Sequence, residues 1–126
     1  MSKYFLYIPW LLCMAFIFTL SHIPSTGGPP PAWLPDWAIY LLGLPHFDKI
    51  IHFSEYCTLT CCAILSKSKP VTIFIINCIF ALSDEWHQSF IPGRHADVYD
   101  FLADCLGVIV TLMLLNFIKN KSKTQI

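Results

Sequence analysis

The stretch Asp84-Glu85-Trp86-His87-Gln88-Ser89-Phe90-Ile91-Pro92-Gly93-Arg94-His95-Ala96-Asp97-Val98-Tyr99-Asp100 lies between two long apolar runs. Pro92-Gly93 is a turn signal, so the runs on either side read as two helices joined at this point. The same stretch holds acids, two histidines and the only arginine of the chain. Apolar segments bound for a membrane shed charge, because each buried charge is costly there unless it is paired. Charge concentrated where two such segments meet therefore marks one wall of a functional site at a membrane surface.

Composition supports the membrane reading. Of the 126 residues, 56% are apolar and 13% charged, which is membrane composition rather than that of a soluble core. The length allows one domain, residues 1–126. Net charge is zero, so no global field favours nucleic acid as a partner. The bilayer is the expected partner.

Outward from the central stretch, residues 4–20 form an apolar run behind Lys3, close to the minimum for a spanning helix. Ser-His-Ile-Pro-Ser-Thr follows it instead of a small-x-small cleavage site, which favours a retained helix over a signal peptide. Residues 21–47 are rich in proline, and Gly27-Gly28-Pro29-Pro30-Pro31 cannot be helical. Trp33, Trp37 and Tyr40 then read as an amphipathic piece in the outer headgroup layer, serving as a linker with aromatic anchors or as a lid. A second helix spans about 47–66. A third spans about 70–90, with Pro70 at a favoured first position, and a fourth about 97–118. The expected fold is an all-α integral membrane bundle of four transmembrane helices, with a Pro-rich, aromatic outer loop after the first.

Lysines fix the orientation. Lys3, Lys67, Lys69, Lys119, Lys121 and Lys123 flank one set of helix ends, and lysine in short loops marks the cytoplasmic face. Both termini are then cytoplasmic. The acids gather toward the other face, joined only by Lys49 and Arg94.

Depth follows from the helix rise of about 1.5 Å per residue. Counted from the cytoplasmic lysines, Glu55 stands roughly 18 Å up, and His52, Asp84 and Asp104 stand roughly 22 Å up. Three helices thus bring polar groups to one level in the outer half of the bilayer. Facing agrees with depth, since residues three, four and seven apart share a helix face. Asp48, His52 and Glu55 keep that spacing, as do Asn77, Ala81, Asp84 and Gln88, and also Asp97, Asp100, Asp104, Gly107 and Thr111. Ser54-Thr58-Cys62 and Ala103-Gly107 supply small residues for close backbone approach.

Plainer roles compete at several positions. Asp48 and Asp97 stand where helix N-caps stand. Lys49 reads as a snorkelling interfacial side chain, and His22, His46 and His95 as ordinary loop residues. Asn77 reads as interhelical glue. The six cysteines lie within apolar segments with no zinc-site spacing, and read as buried, apolar-like thiols.

Three motifs in order resemble the VanZ-like family of bacterial membrane proteins. They are Asp48-Lys49-x-x-His52-Phe53-x-Glu55-Tyr56, Asp84-Glu85-x-x-Gln88, and Pro92-Gly93-Arg94-x-x-Asp97-x-x-Asp100 followed by Asp104-x-x-Gly107. The resemblance covers most of the chain. It implies a small multi-span protein of the bacterial cytoplasmic membrane and cell envelope, in a family whose namesake is associated with resistance to the glycopeptide teicoplanin. It does not imply a reaction, and a family name alone does not transfer resistance.

The outer cluster sets Asp48, Glu55, Asp84, Glu85, Asp97, Asp100 and Asp104 against Lys49 and Arg94, so its acids cannot all ionise unless they meet a cation. Three functions fit. In the first, the site binds or modifies a lipid-linked envelope precursor. Arg94 clamps its anionic group with Lys49 assisting, and His52, Glu55, Asp84 and Glu85 are the acid–base candidates. Lys49, Gln88, Arg94, Asp97, Asp100 and Asp104 form the ligand-binding set, and a structural pairing of Arg94 with Asp97 or Asp100 competes with the clamp. In the second, His52-x-x-Glu55 with Asp84, Glu85 and Asp100 holds a divalent metal for a membrane hydrolase. Di-iron bundles use two Glu-x-x-His pairs, whereas this chain has one pair in reverse order. In the third, the cluster is a non-enzymatic proton- or ion-coupled element or part of a partner-regulating subunit. No motif names a cofactor or an oligomeric state.

Overall fold

The computed structural model describes residues 3–25, 29 and 32–124. Helix is the regular structure among them, as composition and periodicity predict. A short 3-10 helix, Lys3–Tyr7, runs into α1, Ile8–Ser21. The change of winding comes at Pro9, whose missing N–H is no loss in a first helical turn. α2 is Asp36–Leu42, α3 Phe47–Ile64, α4 Pro70–Gln88 and α5 Val98–Thr124. Two helical stretches, Tyr4–Ser21 and Val98–Ser122, are long and apolar enough to cross a membrane.

Boundaries shift for local reasons. α4 stops at Gln88, and Gly93 makes the turn with φ +78°, in the left-handed region that glycine enters without a Cβ penalty. A Cβ there would also overlap the Ser25 carbonyl, because the turn sits directly on the chain leaving α1. The Ser25 N–H donates to the Pro92 carbonyl at 3.1 Å. α5 runs past residue 118 to Thr124, since its lysine-rich end contains no helix breaker. The piece after the proline-rich segment is the short helix α2, with Trp33, Trp37 and Tyr40 all exposed. Residues 26–28, 30 and 31 of the Gly-Pro segment lie outside the described residues.

α3 lies at the centre. Its most extensive contact is with α5, and it also packs on α1 and α4. Gly107 makes the α3–α5 contact close, since a Cβ there would stand 2.5 Å from the Phe53 carbonyl oxygen. The apolar core comprises Trp10, Ile17, Tyr56, Leu59, Ala63, Ile73, Ala81 and Val108. Asn77 ties three helices inside it: the Trp10 indole donates to its Oδ1 at 2.9 Å and its amide donates to Thr60 Oγ1 at 3.1 Å. Asn77 is therefore the interhelical glue its position predicts.

Polarity is distributed inside out. Asn77, Asp84, Glu85, Gln88, Asp100 and Asp104 are buried, while Leu11, Leu12, Phe16, Val71, Ile79, Leu82, Leu106, Met113 and Phe117 are exposed. The cysteines depart from expectation. Cys61 is exposed and the other five are half-buried free thiols, with Cys78 and Cys105 Sγ atoms 3.5 Å apart between α4 and α5.

Candidate functional site

The site begins with Lys49, in the first turn of α3. Its Nζ lies 2.6 Å from Asp97 Oδ2, 2.8 Å from Asp100 Oδ1 and 2.9 Å from Asp48 Oδ2. Its side chain is only 21% exposed, so it is a clamp between helices rather than a snorkelling lysine. Asp97 is the N-cap of α5: its Oδ1 accepts the Tyr99 N–H at 2.8 Å, a bond that satisfies one of the free donors of a helix start. The Lys49 ammonium beside Asp97, together with the Tyr99 N–H, holds its carboxyl below the usual carboxylate range. Asp48 does not cap α3. The position before that helix is His46, in left-handed backbone with φ 61°.

One turn further along α3, His52 meets three acids. Its Nδ1 lies 3.0 Å from Asp104 Oδ1 and 3.9 Å from Glu85 Oε1, and its Nε2 lies 3.9 Å from Asp100 Oδ2. Asp104 is a carboxylate acceptor, so Nδ1 carries the hydrogen in that contact. Glu85 is fixed through its other oxygen, which accepts the Asp97 backbone N–H at 2.8 Å. One donor atom each from His52, Glu85 and Asp100 lie within 4.8 Å of one another.

Asp84 belongs to a second arm, toward α1. Its Oδ2 accepts Ser21 Oγ at 2.7 Å and the Gln88 amide at 3.1 Å. Gln88 Oε1 in turn accepts Arg94 Nη1 at 3.3 Å, while Arg94 Nε and Nη2 donate to the carbonyls of Ile23 and Leu20. Arg94 thereby closes the C-terminal end of α1, where helix carbonyls lack partners. It pairs with neither Asp97 nor Asp100, and among the described residues it forms no ion pair.

Between these arms lies a cavity of about 140 Å³, lined by Ser21, Asp48, His52, Glu55, Gln88 and Arg94 with Leu20 and Ile51. Glu55 faces it and makes no hydrogen bond among the described residues. Trp33, Trp37 and Tyr40, which read as a linker with aromatic anchors or as a lid, do not line this cavity. A separate apolar groove of about 320 Å³ runs beside Glu85 and Asp97, between Leu82, Trp86, Val98 and Phe101. Five buried polar atoms around the cluster have no hydrogen-bond partner among the described residues: Tyr56 OH, Asp84 Oδ1, Glu85 Oε1, Asp104 Oδ2 and Asp100 Oδ1, the last of which lies 2.8 Å from the Lys49 ammonium.

The ten residues singled out from the sequence thus fall into two linked groups. Lys49, His52, Glu85, Asp97, Asp100 and Asp104 form one; Asp84, Gln88 and Arg94 form the other; Glu55 lines the cavity they share. The metal set drawn from the sequence changes, because Glu55 and Asp84 are not in the cluster with His52. The sequence reading passed over Ser21, which merely ends an apolar run, and gave Tyr56 a place in a motif but no role at the site. It also passed over the His22–His87 pair, whose rings stack with nitrogens 3.1 Å apart.

A family model described as VanZ/LLP1 matches residues 4–119. The chain belongs to the VanZ/LLP1 family. The matched span contains every residue of the cluster, of the cavity lining and of the core. Family membership and the two membrane-length apolar helices together make this a VanZ-like membrane protein. No curated protein and no solved structure gives a significant match.

Proposed function

We propose that this VanZ-like protein spans the cytoplasmic membrane four times, with both termini in the cytoplasm, and binds the anionic head of a lipid-linked envelope precursor in the outer half of the bilayer. The observation that carries the reading is Arg94. Among the described residues its charge meets no carboxylate in an ion pair, yet it lines a polar cavity with Gln88, Ser21 and His52. A guanidinium has five N–H donors, and three are engaged here. The remaining donors and the uncompensated charge favour a phosphate or carboxylate. The cavity holds a few waters or one such group, since a water occupies about 30 Å³ of liquid.

The exposed apolar faces of α1, α4 and α5 fit a lipid surround. The groove between Trp86 and Phe101 offers apolar contact for a chain lying beside the bundle. His52, Glu55, Asp84 and Glu85 stand near the head as acid–base candidates if the ligand is also altered.

The test is binding of a polyprenyl phosphate against the matching neutral polyprenol, with the protein in lipid nanodiscs. Preference for the phosphate should be about tenfold or more, and Arg94→Gln should abolish it while Arg94→Lys keeps part of it. Equal binding of phosphate and alcohol by the wild type would defeat the reading.

A further inference from the structure

We propose a divalent transition-metal site formed by His52 of α3, Glu85 of α4 and Asp100 of α5. It stands on side chains other than Arg94 and does not depend on the lipid reading. Each member is anchored through one atom and presents another. Asp104 holds His52 at Nδ1, which leaves Nε2 facing Asp100 Oδ2 at 3.9 Å. Lys49 holds Asp100 through Oδ1, leaving Oδ2 for a ligand. The Asp97 N–H holds Glu85 through Oε2, and Oε1 is left 3.9 Å from His52 Nδ1, with one ligand atom of each of the three residues within 4.8 Å of the others.

Glu85 Oε1 is the second, independent observation. The residue is 4% exposed, and this oxygen has no hydrogen-bond partner among the described residues. A buried carboxylate oxygen left so is costly unless something meets it. Carboxylate on one imidazole nitrogen and metal on the other is the usual outer support of a histidine ligand, and it fixes ring and tautomer. Charge points the same way. Glu85, Asp100 and Asp104 are all buried, and the Lys49 ammonium meets Asp100 alone of the three and is shared with Asp48 and Asp97. A dication supplies the missing positive charge.

Donor chemistry narrows the ion. One imidazole with two carboxylates suits Zn²⁺ or Mn²⁺, whereas Mg²⁺ and Ca²⁺ prefer oxygen alone. The three groups come from three helices, so the ion would also tie α3, α4 and α5 at one level. Open positions on such a three-ligand ion would be available to water or to a substrate oxygen.

The experiment uses the full chain in detergent after treatment with a chelator, titrated with Mn²⁺ while electron paramagnetic resonance reads the free ion. One saturable Mn²⁺ per chain is expected, with a pulsed-resonance coupling to a directly bound imidazole nitrogen. Glu85→Gln and Asp100→Asn should each weaken binding at least tenfold. Asp104→Asn, a positioning change, should weaken it about tenfold, and Asp36→Asn on α2 should leave it unchanged. Absence of saturable binding by the wild type would overturn the site, and so would bound Mn²⁺ without nitrogen coupling. Both of these are read on unaltered protein, so poor folding of a variant cannot hide the answer.

Discussion

Lys49 Nζ lies 2.6 Å from Asp97 Oδ2, so the first turn of α3 holds the residue that caps α5. With Asp100 Oδ1 at 2.8 Å, the same ammonium bridges two helices that are distant in sequence. Asp100 is the better-buried partner, 9% exposed against 35% for Asp97, so most of the energy belongs to that contact. Lys49→Met should lower stability by about 3 kcal/mol, the low end for removing one partner of a buried pair, because it leaves buried carboxylate without its cation. Unfolding of purified protein in mixed micelles measures it, and a variant as stable as wild type would show that the acids need no cation.

Asp97 predicts an acid limb. Its carboxyl is held below its ordinary value of 3.8 by Lys49, so protonation is harder in the folded state than in the unfolded one. The stabilisation is then complete above that ordinary value and fades as pH falls through the lower folded value. As pH falls below the ordinary value of 3.8, Asp97→Asn should flatten part of the fall in thermal midpoint seen in wild type. Parallel curves for the two proteins would refute the assignment.

Asn77 links α1, α3 and α4 through Trp10 and Thr60. Asn77→Ala should destabilise by about 1–2 kcal/mol, the upper part of the range for interhelical hydrogen bonds in membranes. Trp10→Phe removes the same indole donor but leaves Asn77 to Thr60, so it should do less. The order of the two midpoints is the check.

Gly107→Ala should loosen α3 from α5. The added Cβ would stand 2.5 Å from the Phe53 carbonyl oxygen, where backbone rather than a flexible side chain must move. Overpacking of this kind costs about 1–3 kcal/mol. If the proposed metal site is real, the same substitution should weaken Mn²⁺ binding although Gly107 is no ligand.

Much of the helical fold was legible because long apolar runs with polar ends announce helices. Apolar runs bounded by Lys67, Lys69, Pro70 and Lys119 fixed the main helices to within a few residues, apart from the extended end of α5. Depth counted from those lysines brought His52 and Asp104 to one level, and they are 3.0 Å apart. The partners of Arg94 were not legible, since it binds backbone carbonyls of Leu20 and Ile23, and a carbonyl leaves no mark in a side-chain pattern. Lys49 misled for a related reason: a lysine near a helix end usually reaches for water, and only the fold brings Asp97 and Asp100 to it. Ser21 looked like the end of a run and is instead a donor to Asp84.

The glycine contact between α3 and α5 has a consequence for how any ligand is received. Lys49 and His52 ride on one of these helices, Asp100 and Asp104 on the other, and backbone meets backbone at Phe53 and Gly107 between them. Two helices locked at that distance cannot slide to fit a guest. The charged groups are therefore preorganised, and the entropy of ordering them is spent in folding instead of in association. Selection at such a site is by match to a fixed template, and the residence time of a ligand then reports how well it matches rather than how far the protein closes.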